Sequence, residues 1–529
     1  MMLHLVWLKR DLRLYDHAAL TAAINAVHQQ GGRLALLYVI EPGVWSQPDS
    51  SLRQWQFVRE ALFDLQQQLA QDAALWCLPG DMPDVLQRLW QQQQAKGQSF
   101  SLYSHEETGN LFSYRRDLAV GQWCRKHQIT WHEFAQFGVR RASRSRPHSR
   151  DDWAAHWAAF MEQTQHAMPL LSECPWLPCP LPDALPVTAL PTNLGYDQTP
   201  CPGRQPGGRS AALALLSSFL HSRGRFYRGS LGSPLTAEHH ASRLSPYLAW
   251  GCLSVREVLQ AVRAAQQQAP DTRWRNSLAA FESRLWWHCH FIQKLEDAPQ
   301  QESQPLHPAW AGVRQFNAAW YAAWANGQTG WPLADACMKY LQHHGWLNFR
   351  MRAMLMSLAS YPLWLPWQQP ALHLARWFTD YEPGIHYPQV QMQSGTTGIN
   401  PPRMYNPTLQ AQKQDPQGVF IRRWLPQLAQ VPDSWIHQPW GMSQRLQAQC
   451  GVLIGRDYPV PLVDFEQATR LAREHIRQLR QQPQYFSNAA DIGHQHGSRK
   501  RRQSRAVKSG DSKSGSSKIK ASPDQLDLF

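Results

Sequence analysis

Between residues 165 and 208 the chain carries ten prolines: Pro169, Pro175, Pro178, Pro180, Pro182, Pro186, Pro191, Pro200, Pro202 and Pro206. Each fixes φ and removes a backbone donor, so neither a long helix nor a central strand can run through this stretch. The sequence must therefore fold as two bodies joined by a linker, placed at residues 136–208. Before it, short apolar runs "LHLVWL" (3–8), "RLALLYVI" (33–40), "ALWCLPG" (74–80) and "SFSLYSHEE" (99–107) alternate with segments of helical composition. That order predicts an α/β domain over 1–135 with a doubly wound parallel sheet. No G-x-G-x-x-G follows the first run, so a dinucleotide fingerprint is absent. Residues 209–487 have helical spacing, as in "AALALLSSFLHSR", and predict a large all-α domain. Residues 488–529 collapse to Gly, Ser, Lys and Arg and predict a disordered basic tail.

The 529 residues include 25 Trp but only 17% charged side chains, so many indoles must be buried or line clefts. Nine Cys lack any metal-ligand spacing, which argues for a reducing compartment and against a zinc or iron–sulfur site. No run of eighteen apolar residues occurs, and the N-terminus is charged too early for a secretory signal. A cytoplasmic protein with no membrane contact is the expectation. Of the formal net charge of +14, eight units lie in residues 497–520, which hold nine Lys/Arg against one Asp. Both parts of the chain are basic, which favours a polyanionic partner such as DNA.

In "HASRLSPYLAWGCLSVREVL" (240–259), Ser242, Arg243 and Ser245 precede an apolar helix. Hydroxyls there can cap free N–H groups, and the same groups beside an arginine can hold a phosphate. The wider pattern resembles the cryptochrome/photolyase family, in its bacterial photolyase-like branch. The similarity rests on "ASRLSPYLAWGCLS", "GQTGWPLADACMKYLQHHGWLNFRMRAMLMS" (327–357), "LVWLKRDLRLYDHAAL", "EETGNLFSYRRD" (106–117), "MYNPTLQAQKQDPQGVFIRRWLP" (404–426) and "YPVPLVDFEQAT" (458–469). It implies an antenna domain, a linker and a helical domain that buries FAD. By the same resemblance Tyr227, Ala241, Ser242, Arg243, Leu244 and Ser245 fall at flavin-phosphate positions, and Arg352 and Asp380 at an ion pair beside the isoalloxazine.

The departures from the family pattern concern chemistry. His386 stands where relatives face flavin N5 with Asn, Asp or Cys; a His there can donate or accept near neutral pH, or it can point elsewhere in a rebuilt turn. Of the relatives' three-tryptophan chain for photoreduction only the middle member, Trp367, is kept; the inner position is Val390 and the outer Arg314. Trp364, Trp377, Trp320 and Trp324 are nearby alternatives. In the lesion cleft, "AAFESRLWWHCHFIQKLED" (279–297) aligns Trp286 with the base-stacking Trp, which places Ser283 at the substrate-binding Glu position with Glu282 beside it. The second dimer-contacting Trp is replaced by Met392, and the "HNR" triplet reads Asn348, Phe349, Arg350.

The resemblance implies a light-driven DNA photolyase, a lyase acting on cyclobutane or (6-4) pyrimidine dimers, with FAD, no metal, and a folate or deazaflavin antenna chromophore. A cryptochrome-like blue-light sensor is the rival reading. The C-terminal "QLDLF" resembles the pentapeptide by which bacterial repair proteins dock on the DNA sliding clamp; Gln525 would hydrogen-bond and Leu526, Leu528 and Phe529 would enter apolar pockets. A monomer in the bacterial cytoplasm, associated with the nucleoid, completes the expectation.

Overall fold

A computed structural model describes residues 2–69, 73–141 and 150–496. Strands β1 (Met2–Leu8), β2 (Arg33–Ile40), β3 (Leu75–Pro79), β4 (Ser99–His105) and β5 (Trp131–Phe134) form one parallel sheet in the order β3-β2-β1-β4-β5. Helices α1 (Ala18–Gln30), α2 (Leu52–Gln68), α3 (Met82–Gln94) and α4 (Leu111–Lys126) make the crossovers. With helices on both faces, β1, β2 and β3 bury almost every side chain, which is why their sequences read as unbroken apolar runs, whereas the edge strand β5 stays largely exposed.

The strand order reverses between β1 and β4, so the loops after them diverge and open a crevice at the sheet's carboxyl edge. Charge fills it. Arg116 pairs with Glu41 at 2.8 Å and with Glu107 at 2.5 Å, and Lys9 with Asp117 at 2.7 Å. Beside them Asp11 accepts from Lys9 N (2.7 Å), His105 Nδ1 (2.6 Å) and His17 Nε2 (3.1 Å). His17 Nδ1 accepts from Leu20 N and so caps α1, which leaves its proton on Nε2 facing Asp11. Burial pushes the Asp11 carboxyl up, but the hydrogen bonds from His105 and His17 outweigh it and hold it well below the usual range.

The described residues of the segment expected as a linker are partly helical and docked on the sheet. Helix α5 (Arg150–Met161) lies within it and buries Trp153, Trp157 and Met161. Further along, Leu177 N donates to Leu34 O (2.9 Å) and Leu185 N to Cys77 O (2.8 Å), so the proline-rich chain straps the edge of the sheet. Trp55 Nε1 reaches Pro191 O at 2.7 Å. The helical body then begins at α6 (Arg209–His221) and continues through α7 (Val255–Gln267), α8 (Thr272–Asp297), α9 (Pro332–His344), α10 (Phe349–Ser360), α11 (Gln368–Trp377), α12 (Pro383–Ser394), α13 (Phe465–Arg480) and α14 (Tyr485–His496). The last helix runs past residue 488, where the tail was expected to start. All nine cysteines are free, and no described helix is long and apolar enough to cross a membrane.

Asp16 joins the two bodies. Its carboxylate accepts from Ser254 Oγ and from Arg256 Nε and Nη2 on α7, and from the His166 N–H of the strap. Asp16 is 2% exposed and Arg256 6%, so removing the carboxylate leaves a buried, uncompensated guanidinium. Asp16→Ala is expected to destabilise the chain by about 3–5 kcal/mol, read as a lowered midpoint in chemical denaturation, with Asp16→Asn recovering only part.

Candidate functional site

The helical body encloses a cleft of about 570 Å³, within the range of roughly 300–1,000 Å³ usual for cofactor sites. One wall is α8, where Arg284, Trp287, His288 and Phe291 face inward. These four follow i, i+3, i+4, i+7 spacing and share one stripe of the helix. The opposite wall comes from α10, α12 and the turn Phe378–Glu382. Tyr227, Arg228, Ala241, Ser242, Arg243 and Ser245 add to the lining.

The 241–245 segment is held open by arginines. Arg223 donates to the carbonyls of Ala241 and Ser242, and Arg243 Nε to Gln205 Oε1 at 3.0 Å. Arg243 adopts a positive φ of 60° and stacks over Trp346 at 4.1 Å. Burial, then the neighbouring Arg243, lowers Arg223 to about 10. A lining this rich in guanidinium suits an anionic group such as a diphosphate. Leu244 lies outside the cleft: its side chain is fully buried in the core and only its backbone belongs to the segment.

Across the cleft, Arg352 and Asp380 form a two-pronged pair, Nη1–Oδ1 3.1 Å and Nη2–Oδ2 2.7 Å. Arg352 also stacks on Phe378 at 4.0 Å and donates from Nε to Leu347 O at 2.6 Å, so the pair is fixed in orientation. His386 lies beside it, with Nε2 2.9 Å from Ala371 O. A carbonyl only accepts, so Nε2 carries the proton. Burial lowers this imidazole to about 4, which leaves it neutral at pH 7 with Nδ1 as a bare acceptor. Asn348 Oδ1 and Gln393 Oε1 are further buried acceptors on lining residues, and neither has a protein partner. Buried acceptors without donors are costly. A ligand that brings N–H groups, as the isoalloxazine and adenine rings of FAD do, would satisfy them; the donor set and the arginine-rich segment therefore fit this cofactor.

Several residues singled out in the sequence do not reach the cleft. Trp286 turns the other way, stacking on His290 at 5.0 Å and meeting Trp153 edge-on at 5.3 Å. Glu282 binds Arg263 Nε and Gln266 Nε2 on α7, both at 2.8 Å. Successive helical residues are about 100° apart, so Trp287 and Arg284 occupy the stripe on which Trp286 and Ser283 were expected. The i, i+3, i+4, i+7 spacing was the signal that separates the two adjacent tryptophans. Met392 is half-buried on α12, outside the lining formed by Gln389, Val390 and Gln393. Trp367 is buried in the helical core and meets no aromatic ring among the described residues. Arg350 does line the cleft. Gln525, Leu526, Leu528 and Phe529 lie outside the described residues.

Residues 4–168 match the family model described as DNA photolyase, and residues 281–478 the model described as the FAD binding domain of DNA photolyase. A deoxyribodipyrimidine photo-lyase of Escherichia coli is 28% identical across 88% of this chain and 96% of its own. A cryptochrome DASH of Synechocystis is 27% identical, covering 90% of this chain and 98% of its own. Among solved structures, a Synechocystis cryptochrome superposes with a TM-score of 0.77 at 24% identity, covering 90% of this chain and 99% of its own. A bacterial class III photolyase from Agrobacterium tumefaciens gives 0.76 at 22%, covering 91% and 98%.

Burial lowers His386 and His288 to about 4, against the ordinary imidazole value of 6.5. Between these values the unfolded chain binds more protons than the folded one, so this part of the stability is full above pH 6.5 and is lost as pH falls through 4. The thermal midpoint is expected to drop steadily over that window, and His386→Gln to flatten the profile.

Proposed function

Because the chain belongs to the DNA photolyase and cryptochrome family and carries its FAD-binding domain, we propose that it repairs ultraviolet-induced pyrimidine dimers in DNA with light. The observation that carries repair over light sensing is the α8 stripe: Trp287 and Arg284 face the same cavity as Arg228 and Arg350. An indole face and several guanidiniums are what a flipped-out base pair and its flanking phosphates require. When bound, FAD supplies light-driven electron transfer to and from the lesion.

The remaining work falls to this chain. Ser242, Ser245, Tyr227 and Arg243 hold the diphosphate, while the Arg352–Asp380 pair fixes the ring system from one side. Asn348 Oδ1, Gln393 Oε1 and His386 Nδ1 accept N–H groups, which seats the rings in one orientation. Trp287 stacks the extruded bases, and Arg284, which offers donors only, reads their carbonyl oxygens or the phosphate between them. Glu282 takes no part, being spent on Arg263.

A sensor without repair activity would use the same flavin cleft, and the replacement of two members of the relatives' tryptophan chain by Val390 and Arg314 is the observation that favours it. Illumination of reduced protein with DNA bearing either cyclobutane or (6-4) dimers separates the two. Loss of one lesion class in the light and none in the dark is expected; flavin-loaded protein that clears neither lesion overturns repair.

A folate or deazaflavin antenna chromophore belongs to this reading. The crevice at the sheet's carboxyl edge has a volume of about 90 Å³, room for a few waters at roughly 30 Å³ each. Its Arg116–Glu41–Glu107 cluster would have to part for a chromophore to enter there.

The terminal "QLDLF" extends the reading to the replication machinery: Leu526, Leu528 and Phe529 would fill apolar pockets of a sliding clamp, with the basic segment before them as a DNA-contacting tether. Deleting Gln525–Phe529 is expected to abolish clamp binding in a pull-down or surface-binding assay while flavin content and repair of free oligonucleotides stay unchanged. Clamp binding that survives the deletion overturns this part.

A further inference from the structure

If the cleft holds a flavin, as proposed above, light must be able to draw electrons to it, and the positions at which relatives place their tryptophan chain do not offer a path here. Val390 lines the cleft, Trp367 stands apart from other rings, and Arg314 is a buried guanidinium lodged over Trp310 and Trp364 at 4.9 Å from each. Neither Trp310 nor Trp364 lines the cleft. Trp377 and Trp324 are separated by His373, whose ring lies 4.2 Å from the first and 5.4 Å from the second, and neither indole lines the cleft.

Among the described residues, two indoles line the cleft, Trp287 and Trp346. Trp346 lies under the Arg243 guanidinium at 4.1 Å and meets no other aromatic ring among the described residues. Trp287 instead opens a continuous row: its ring centroid is 5.1 Å from Trp286, Trp286 is 5.3 Å from Trp153, and Trp153 is 6.4 Å from Trp157. All three steps are aromatic contacts, and electron transfer falls steeply with distance, so contact is the geometry that hopping needs. The row crosses from α8 to α5, on the side of the helix away from the cleft.

We propose that Trp287, Trp286, Trp153 and Trp157 form the electron-supply row through which light reduces the flavin. Trp287 gives one electron to the photoexcited, oxidised isoalloxazine. Trp286 refills Trp287, Trp153 refills Trp286, and Trp157 refills Trp153, so that the positive hole ends on α5. A soluble thiolate then returns one electron to the row and becomes a thiyl radical. The Arg150 guanidinium lies 5.1 Å over Trp286 and 5.3 Å over Trp287, so a hole on either costs more than one on Trp153 or Trp157 and, once formed, moves onward to α5. Trp286 is thus an electron carrier, facing away from the lesion cleft.

The test uses the purified full chain with its flavin, blue light, an anaerobic cell and a thiol. Flavin content is read first from visible absorbance, then the rate at which the oxidised-flavin band bleaches, together with the transient indole radical signal. Trp286→Phe keeps a ring in the stack but removes the oxidisable indole, and its bleaching rate is expected to fall by at least roughly tenfold with loss of the radical signal. Trp153→Phe, one step further, is the second variant and should act alike, whereas Trp367→Phe and Trp377→Phe should match the parent. A parent that binds no FAD overturns the flavin-site reading together with this proposal. A flavin-loaded parent that does not bleach, Trp286→Phe and Trp153→Phe forms that bleach at the parent rate, or a Trp367→Phe form that fails to bleach overturns the proposal alone.

Discussion

The turn after β1 carries Lys9, Arg10, Asp11, Arg13 and Asp16 into a region with little water, and each of these charges meets a fixed partner. Lys9 meets Asp117, Asp11 meets two imidazoles, and Asp16 meets Arg256. Arg13 donates to Asp16 O and Gly251 O, and Arg10 to Ala249 O and Tyr381 O. Buried charge is stable only when paired and hydrogen-bonded. The turn therefore has essentially one conformation, and that conformation reaches across the domain boundary. Ala249 and Tyr381 both line the large cleft, so the antenna-side loop fixes part of the cleft's back wall. Trp250 Nε1, bonded to Thr379 O at 2.9 Å, locks the same wall from the helical side. The position of Asp380, next in the chain, follows from these ties.

The cleft itself is built to be completed by a ligand. Its paired charges, Arg352 and Asp380, satisfy one another, but Asn348 Oδ1 and Gln393 Oε1 have no protein donor, and a row of arginines faces inward. A folded chain tolerates a few such groups at a site whose occupant supplies the missing partners. His386 adds to this pattern because its proton is committed to Ala371 O. Whatever lies against Nδ1 meets a lone pair, and only protonation of the buried ring, disfavoured above pH 4, would turn that atom into a donor.

Much of this was legible in the sequence. Unbroken apolar runs gave away a sheet covered on both faces, and the prolines marked where neither regular element could continue. What the prolines could not convey is that the segment docks: its carbonyls and N–H groups find Leu34, Cys77 and Trp55, contacts set by tertiary geometry alone. Helix α5 escaped notice because its buried stripe is only Trp153, Trp157 and Met161, three positions one turn apart among alanines that mark no face. Helix α14 was masked by the basic composition that follows it. The cleft's lining was less legible than its existence. Two adjacent tryptophans on α8 admit two registers, and a slip of one residue rotates the stripe by about 100°, enough to exchange Arg284 for Ser283 and Trp287 for Trp286. Only the partners settle it: Glu282 is held by α7, and Trp286 by α5, so both must face outward.

Arg314 shows how one buried charge sets what its neighbours can do. The side chain is 8% exposed, no carboxylate among the described residues pairs with it, and burial lowers it to about 10. It stays protonated at pH 7 because the faces of Trp310, Trp364 and Tyr361 and the Ser394 carbonyl at 2.6 Å replace its water. At an effective dielectric near 20, a unit charge about 5 Å from an indole raises the cost of a positive hole there by roughly 3 kcal/mol, about a hundredfold in occupancy. An indole at the same position would lower that cost and connect the surface to the core. Arg314 therefore stabilises this corner of the helical body through cation–π contact and makes Trp310 and Trp364 harder to oxidise.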